Sequence, residues 1–361
     1  MRGLTAAGLF EVHLLTYNPD PAKAEASVPN RDGIYVHGHC HEQGEREHAY
    51  MYVMSAVKRL AELQNKYGYR LLIAFYAHMP AMIVSTVASC SHIPFIVCAR
   101  GSDINVKMLD PLHRTMIQKY IRGAYSIIAV SESLAHSIRR FNVLPDNASI
   151  VRVNNSVDSD EYNIAVERKQ VSNNRYDFAF IGNARPQKRF DLLVEAMARL
   201  KAQGVTPRVA AVLLPHVRFP HLAEQWRSMA FDKGIGDQID FIGPMDRAGI
   251  VALFGDAKSI VVASDKEGFS NVILEAMASG CYVVARETAV DPLIAPHAYV
   301  FQDLDALVEA MKTIINIKRT YSIENVEFIR ENFCTERETE AYKDIFYQAI
   351  RSKGVGSGQT Q

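Results

Sequence analysis

The sequence predicts an α/β protein made of two doubly wound units joined by a linker. Three observations lead there. Short apolar runs alternate with amphipathic helical stretches along the whole chain. The polar stretch Ser159–Arg175 interrupts that alternation, which then restarts. The length of 361 residues suits about two domains of roughly 100–200 residues each.

Composition narrows the class. The chain carries 40 Lys+Arg against 40 Asp+Glu, with 48% hydrophobic and 22% charged residues. That is the mix of a folded soluble protein, not of a disordered one. With no excess of cations, a nucleic-acid binder relying on a basic surface is excluded. Five cysteines without a CxxC pair make no disulfide framework and fit a reducing, cytosolic chain. Glu11 and His13 interrupt the apolar N-terminus, which has no clean cleavage site and does not read as a signal peptide.

In order, the first half predicts a strand at Phe10–Thr16, a loop over Asn18–Asp32 and a strand at Ile34–His39. A helix follows over Glu45–Lys66, with Val53, Val57, Leu60 and Leu63 at helical spacing. Leu71–Ala99 contains no Asp, Glu, Lys or Arg and is long enough to cross a bilayer. Pro80 and Pro94 interrupt it, so it reads as strand Leu71–Tyr76, helix Pro80–Cys90 and strand Pro94–Cys98. Parallel strands buried on both faces have this continuous apolar character. A helix around Leu112–Gly123, the strand Ser126–Val130, a helix begun by Ser131 and the strand Ser149–Val153 complete the half.

The second half predicts strands at Asp177–Ile181, Arg208–Leu214, Gln238–Ile242, Ser259–Ala263 and Cys281–Ala285. Between them lie helices at Phe190–Ala202, Leu222–Asp232, Arg247–Gly255 and Asn271–Ser279. Helical stretches at Leu304–Ile317 and Ser322–Ser352 end the fold, and the Gly/Ser/Gln-rich tail is expected to be disordered. In such sheets ligands sit beyond the carboxyl ends of the strands.

One segment stands out for chemistry, SDKEGFSNVILEAMASGCYVVA at Ser264–Ala285. A strand ends at Ala263, a short loop holds Glu267 and Gly268, Ser270 stands at the N-cap of a helix, and Gly280 closes it. Backbone N–H groups near Gly268–Asn271 then point out of the helix start, where a phosphate or diphosphate would sit. Gly268 lets the backbone approach it closely. Glu267 lies in the loop and Glu275 in the helix. On that spacing alone, an ordinary βαβ unit with two solvated acids explains the segment better, because two acids eight apart arise often by chance and this fold hosts many functions.

With its flanking residues, EGFSNVILEAMASGCYVV closely resembles the Glu-x7-Glu signature of the retaining family 4 glycosyltransferases, which have two facing Rossmann-like domains (the GT-B fold). FIGNARPQKRFDLLVEA (Phe180–Ala196) looks like the family's phosphate-binding segment, and DFIGPMDRAGIVALFGDAKSIVVAS (Asp240–Ser264) like the run before the signature. ARGSDIN (Ala99–Asn105) is similar to the first-domain loop at the donor cleft, and ENFCTERETEAYKDIFYQAI (Glu331–Ile350) to the closing helix. The resemblance covers nearly the whole chain. It implies an acceptor-side domain over 1–165, a donor-binding domain over 172–332, a closing helix over 333–352 that crosses back to the first domain, and a disordered tail over 353–361.

By that resemblance, Glu275 binds the ribose hydroxyls of a nucleotide-sugar donor, expected to be a UDP- or GDP-sugar. Glu267 contacts the donor sugar near the reacting carbon. The amides of Gly268, Phe269 and Ser270, with Asn271, hold the diphosphate. Lys188 and Arg185 neutralise the leaving group, and Gly182, Pro244 and Met245 line the donor site. His78, Arg100, Gly101 and Asp103 are the first domain's contribution. Cationic side chains and helix-start amides aimed at a departing diphosphate lower the barrier, so no metal or other cofactor is implied. Retention follows from front-face attack with the departing phosphate accepting the acceptor's proton, which calls for no dedicated protein base. The acceptor is expected to be a glycan or lipid-linked molecule in surface polysaccharide biosynthesis. The implied location is the cytoplasm, with loose association at the inner face of the membrane and no nucleic-acid partner.

The chain departs from that pattern in places. Leu4–Thr16 looks like the end of the first helix and the second strand, so the first domain is expected to lack its first strand, as from a truncated gene or a misplaced start. That strand is central in a sheet of order 3-2-1-4-5, and its loss is expected to leave a gap in the core or force its neighbours to pair. Restoring it should raise solubility and turnover. Arg100 stands where many members carry His, Asn183 where Arg often follows the glycine, and Ser156 where Gly is usual. The turn LPHVRFP replaces a Gly-rich loop and hides which base is used.

His37, His39, Cys40, His41 and His48 cluster locally, but no matching second ligand pair appears, so a polar region near the cleft is expected rather than a metal site. Two further functions fit the same residues. One is a nucleotide-sugar epimerase or phosphorylase; the other is an inactive truncated remnant that only binds sugar nucleotide.

Overall fold

Every strand pair among the described residues is parallel. The computed structural model describes residues 2–6, 8–17, 30, 33–39, 48–141 and 149–354. The chain divides into two units, one of Met1–Asn154 with Thr335–Gln361, the other of Asn155–Cys334.

The first unit contains β1 (Val12–Tyr17), β2 (Ile34–His39), β3 (Leu72–Phe75), β4 (Phe95–Ala99), β5 (Ser126–Ala129) and β6 (Ser149–Arg152). The charge-free stretch folds as β3, the helix Met79–Ser91 and β4, and no helix among the described residues is long and apolar enough to cross a membrane. β4 is buried at every position, which is why it reads as an unbroken apolar run. The C-terminal helix Thr335–Gly354 belongs to this unit, where Tyr342, Ile345 and Phe346 pack with Leu4, Ile96 and Ile128.

The sheet of this unit is split. β1 pairs with β2, while β3, β4, β5 and β6 form a separate four-stranded sheet. β1 and β3 do not pair with each other, and a cavity of about 860 Å³ is lined by Val12–Leu15 of the one and Leu72–Phe75 of the other. The strand edges facing it carry backbone groups that no strand among the described residues satisfies. Direct pairing of these neighbours, one of the two outcomes expected from the sequence, is not seen among the described residues.

The second unit is a single sheet of β7 (Tyr176–Asn183), β8 (Val209–Leu214), β9 (Ile239–Ile242), β10 (Ala257–Val262), β11 (Tyr282–Arg286) and β12 (Tyr299–Phe301). Its order is β12-β11-β10-β7-β8-β9, the doubly wound arrangement in which winding reverses between β7 and β10. Its core gathers Phe178, Phe190, Trp226, Val261 and Met311 around that central pair.

The structure corrects several sequence readings. Ser159–Arg175 is not an irregular linker: it holds a 3-10 turn at Ser159–Tyr162 and a helix at Asn163–Val171. Tyr162, Ala165, Val166 and Lys169 recur at helical spacing and are buried, but the lysine makes the stripe look polar. The Lys169 ammonium donates to the Ala257 carbonyl, and burial pushes its pKa down. Gly255 lets this helix approach the helix Arg247–Asp256, since a Cβ there would lie 3.4 Å from the Ala165 Cα. The stretch Ser322–Ser352 is two helices, Ile323–Asn332 and Thr335–Gly354, broken where Phe333 turns in against Phe269 and Phe328. β12 and the short helix Ser102–Asn105 were not anticipated. Lys353 and Gly354 end the last helix rather than open a tail; residues 355–361 lie outside the described residues, as do Cys40 and His41.

Candidate active site

Winding reverses between β7 and β10, so the loops that follow these two strands leave the sheet side by side. After β7 the chain makes a 3-10 turn at Pro186–Lys188, and Arg189 takes a left-handed conformation (φ 52°) to enter the helix Phe190–Ala202. The Lys188 stem folds back over Gly182, whose missing Cβ would lie 3.6–3.7 Å from it. After β10, the Asp265 N–H donates to the Gln187 carbonyl (2.9 Å), and Arg189 bonds both Asp191 (2.9 Å) and Asp265 (3.1 Å). Arg286 reaches Asp265 as well. Held by these contacts, Lys188 Nζ donates to Glu267 Oε1 at 2.7 Å. Arg185 turns instead to Gln187, its Nη2 3.4 Å from the side-chain oxygen.

The helix Asn271–Ala278 starts beside this pair. Ser270 occupies the N-cap position with extended backbone, but its side chain makes no capping bond, contrary to the sequence expectation. The first amides of the helix therefore have no capping side chain and are free to receive an anion. Phe269 is buried against Phe333 and anchors the loop. The Asn271 side chain accepts from Asn155 Nδ2 (2.7 Å), so its carboxamide oxygen is engaged within the unit.

Glu275 lies one turn further along. Burial raises its pKa, and Arg247 opposes the shift by donating Nη1 to Glu275 Oε1 at 2.8 Å. Arg247 is also held by Glu161, which accepts from Nε at 3.0 Å and from Nη2 at 2.8 Å. Its guanidinium lies over the Tyr162 ring, 5.2 Å from the centroid. Pro244 and Met245 occupy the turn after β9, directly before the Asp246 N-cap of the Arg247 helix. Gly249 leaves room for Met245, whose Cε a Cβ there would meet at 3.1 Å.

In the first unit, His78, Arg100, Gly101 and Asp103 form one loop cluster. The Asp103 carboxylate is buried and accepts from the amides of Ala77 (2.8 Å), Arg100 (3.1 Å), Gly101 (2.9 Å) and Ile104 (3.2 Å). It is thus a loop organiser that holds the Arg100 backbone, while the guanidinium lies over Phe75 (5.8 Å). Gly101 has φ 127°, a conformation that favours glycine. Burial, then the nearby His113, lowers the His78 pKa, and His78 Nε2 is buried without a partner. His37 and His39 are buried in β2, bonded to His13 (2.8 Å) and Ser55 (3.2 Å).

Comparison with known proteins now adds to the geometry. The family model "Glycosyl transferases group 1" matches residues 175–316, and "Glycosyltransferase Family 4" matches residues 1–161. The chain belongs to glycosyltransferase family 4. Among relatives of this glycosyltransferase, N-acetyl-alpha-D-glucosaminyl L-malate synthase of Bacillus anthracis is 24% identical over 96% of this chain and 91% of its own length. Sucrose-phosphate synthase from Thermosynechococcus elongatus shares the fold with a TM-score of 0.81 at 18% identity, over 97% of this chain and 92% of that one. Anabaena HepE, solved in complex with UDP-glucose, has a TM-score of 0.71 at 16% identity, over 93% of this chain and 99% of that one.

Sequence reasoning missed three groups of this glycosyltransferase that touch the candidate site: Glu161, Tyr162 and Arg247. Arg247 reads as an ordinary solvated charge at a helix start, and its partner Glu161 stands 86 positions away. The buried Tyr162, aligned with Ala165 and Lys169, was the available signal that this polar stretch packs onto the sheet.

Proposed function

We propose that this glycosyltransferase moves a sugar, with retention, from a UDP-sugar to a hydroxyl of a glycan or lipid-linked acceptor. The observation that carries the reading is the Lys188–Glu267 contact of 2.7 Å beside a helix start with no capping side chain. Cleaving a sugar–diphosphate bond leaves charge on the phosphate oxygens. Lys188 and the amides at the start of Asn271–Ala278 are the groups available to receive it. Arg185, two positions after the end of β7, adds a second cation. Glu267 faces the reacting carbon as positive charge develops there, and Glu275 takes the ribose hydroxyls. The bond from the anomeric carbon to the phosphate breaks with its electron pair going to the phosphate. The acceptor oxygen bonds to the same face, and its proton passes to the departing phosphate. The UDP-glucose complex of HepE, a protein of the same fold, supports uridine over the other bases.

A thermal-shift screen with UDP-, GDP-, ADP- and CMP-sugars tests the donor, because a ligand of the native state raises its melting temperature by mass action. UDP-sugars should give the largest shift; a set of sugar nucleotides that all leave the melting point unmoved would defeat the reading. Cys90, Cys98, Cys281 and Cys334 are free thiols, which supports a cytoplasmic setting. Co-sedimentation with anionic vesicles at low salt tests loose association at the membrane's inner face.

A further inference from the structure

Glu275 is a poor carboxylate when left to its surroundings. Its side chain is 18% exposed, and burial favours the neutral acid. A neutral acid presents a proton where a ribose hydroxyl needs an acceptor. Two features answer this. Arg247 binds the carboxylate at Oε1 only, through a single nitrogen, Nη1. Its other nitrogens are taken by Glu161, and the face of the guanidinium rests on Tyr162. The arginine is thereby fixed in orientation by two carboxylates and a ring that come from two segments, the turn Ser159–Tyr162 and the helix Asn271–Ala278. Of the ionisable groups acting on Glu275, Arg247 and then the Tyr162 hydroxyl favour the carboxylate, whereas the Glu161 charge opposes it, so Glu161 acts only by orienting the arginine. The helix Ile323–Asn332 brings Asn325 and Val326 toward the far end of Asn271–Ala278, and neither is ionisable.

We infer that Arg247, clamped by Glu161 and Tyr162, is a positioning residue that keeps Glu275 ionised and aimed at the ribose hydroxyls of the donor. This rests on the donor-site reading above and adds to it the device that makes Glu275 competent. Because Arg247 itself touches no reacting atom, its removal should act on binding and not on the chemical step.

The experiment is calorimetry of UDP and of 2′-deoxy-UDP on the full chain, with donor kinetics alongside. The native protein should bind UDP about tenfold more tightly than the deoxy compound, the equivalent of one charge-assisted hydrogen bond. In Arg247→Met the two ligands should bind alike. The donor KM should rise about tenfold while kcat holds, and affinity should fall steeply as pH is lowered from 8 to 6. Glu161→Gln should lose part of the discrimination, and Arg247→Lys should restore part of it. If Arg247→Met does not fold, Arg247→Lys decides, its discrimination between the two ligands falling below that of the native protein. A variant that keeps the native UDP preference and a native pH profile overturns the inference and leaves the donor site standing. Failure of the native protein to bind UDP overturns both.

Discussion

Lys188 Nζ and Glu267 Oε1 lie 2.7 Å apart, at 23% and 17% side-chain exposure, although 79 residues separate them in the chain. Neither residue alone would be a catalytic feature. Together they place a cation and an anion at the carboxyl ends of β7 and β10, the two charges that the proposed transfer calls for.

Removing either charge should cost more in rate than in stability. Lys188→Ala leaves the partly buried Glu267 unpaired at about 1–2 kcal/mol, below the roughly 3–5 kcal/mol of a fully buried pair. Turnover should fall about a hundredfold or more. Urea unfolding and steady-state rates measured on the same preparations check this; native turnover in both Lys188→Ala and Glu267→Ala refutes the assigned roles.

Glu275 gives a pH signature with a defined sign. Its folded pKa is raised by burial, so in that window the folded state binds the proton more tightly than the unfolded chain does. Its contribution to stability is present at pH below the unfolded value and is lost as pH rises through the folded value. Subtracting the stability curve of Glu275→Gln from that of the native protein should therefore leave a difference that declines with pH. A flat or rising difference would contradict the burial.

Asp103 should behave as a structural residue. Asp103→Ala strips the acceptor from the amides of Ala77, Arg100, Gly101 and Ile104 in a buried loop. The expected loss is about 3 kcal/mol, with Asp103→Asn recovering part of it. Chemical denaturation measures both, and a loss below about 1 kcal/mol in the alanine variant would mean that water replaces the carboxylate.

On the proposed roles transfer should not require a divalent ion, since Lys188 and the helix-start amides are the groups offered to the leaving phosphate. Rates with excess EDTA should match rates with magnesium to within a factor of about two. Abolition by the chelator, with recovery on adding metal, would reassign the leaving-group charge to an ion.

How much of this was legible beforehand depended on whether a feature was local. The helices Phe190–Ala202 and Leu222–Asp232 match their sequence limits, because apolar spacing is a short-range signal. Glu267, Gly268 and Glu275 stood out for the same reason. What eluded the sequence was carried by distant partners: the Arg247–Glu161 bond, the burial of Lys169 under the Ala257 carbonyl, and the role of Asp103 as an acceptor for amides on both sides of a loop. The helix after Ser159 was hidden because its buried face ends in a lysine, which hydropathy counts as surface. The break at Phe333 was hidden because it depends on an aromatic contact with Phe269, 64 positions earlier, and not on a proline or glycine.

The separation of β1 from β3 has a mechanical consequence. Hydrostatic pressure favours states in which water reaches more of the chain, and a sheet open between two of its strands offers water a point of entry. The unit holding the 860 Å³ cavity should therefore yield to compression well before the continuous sheet of β7 to β12 does. High-pressure fluorescence should show two steps, with the single tryptophan, Trp226 in the second unit, reporting only the later one.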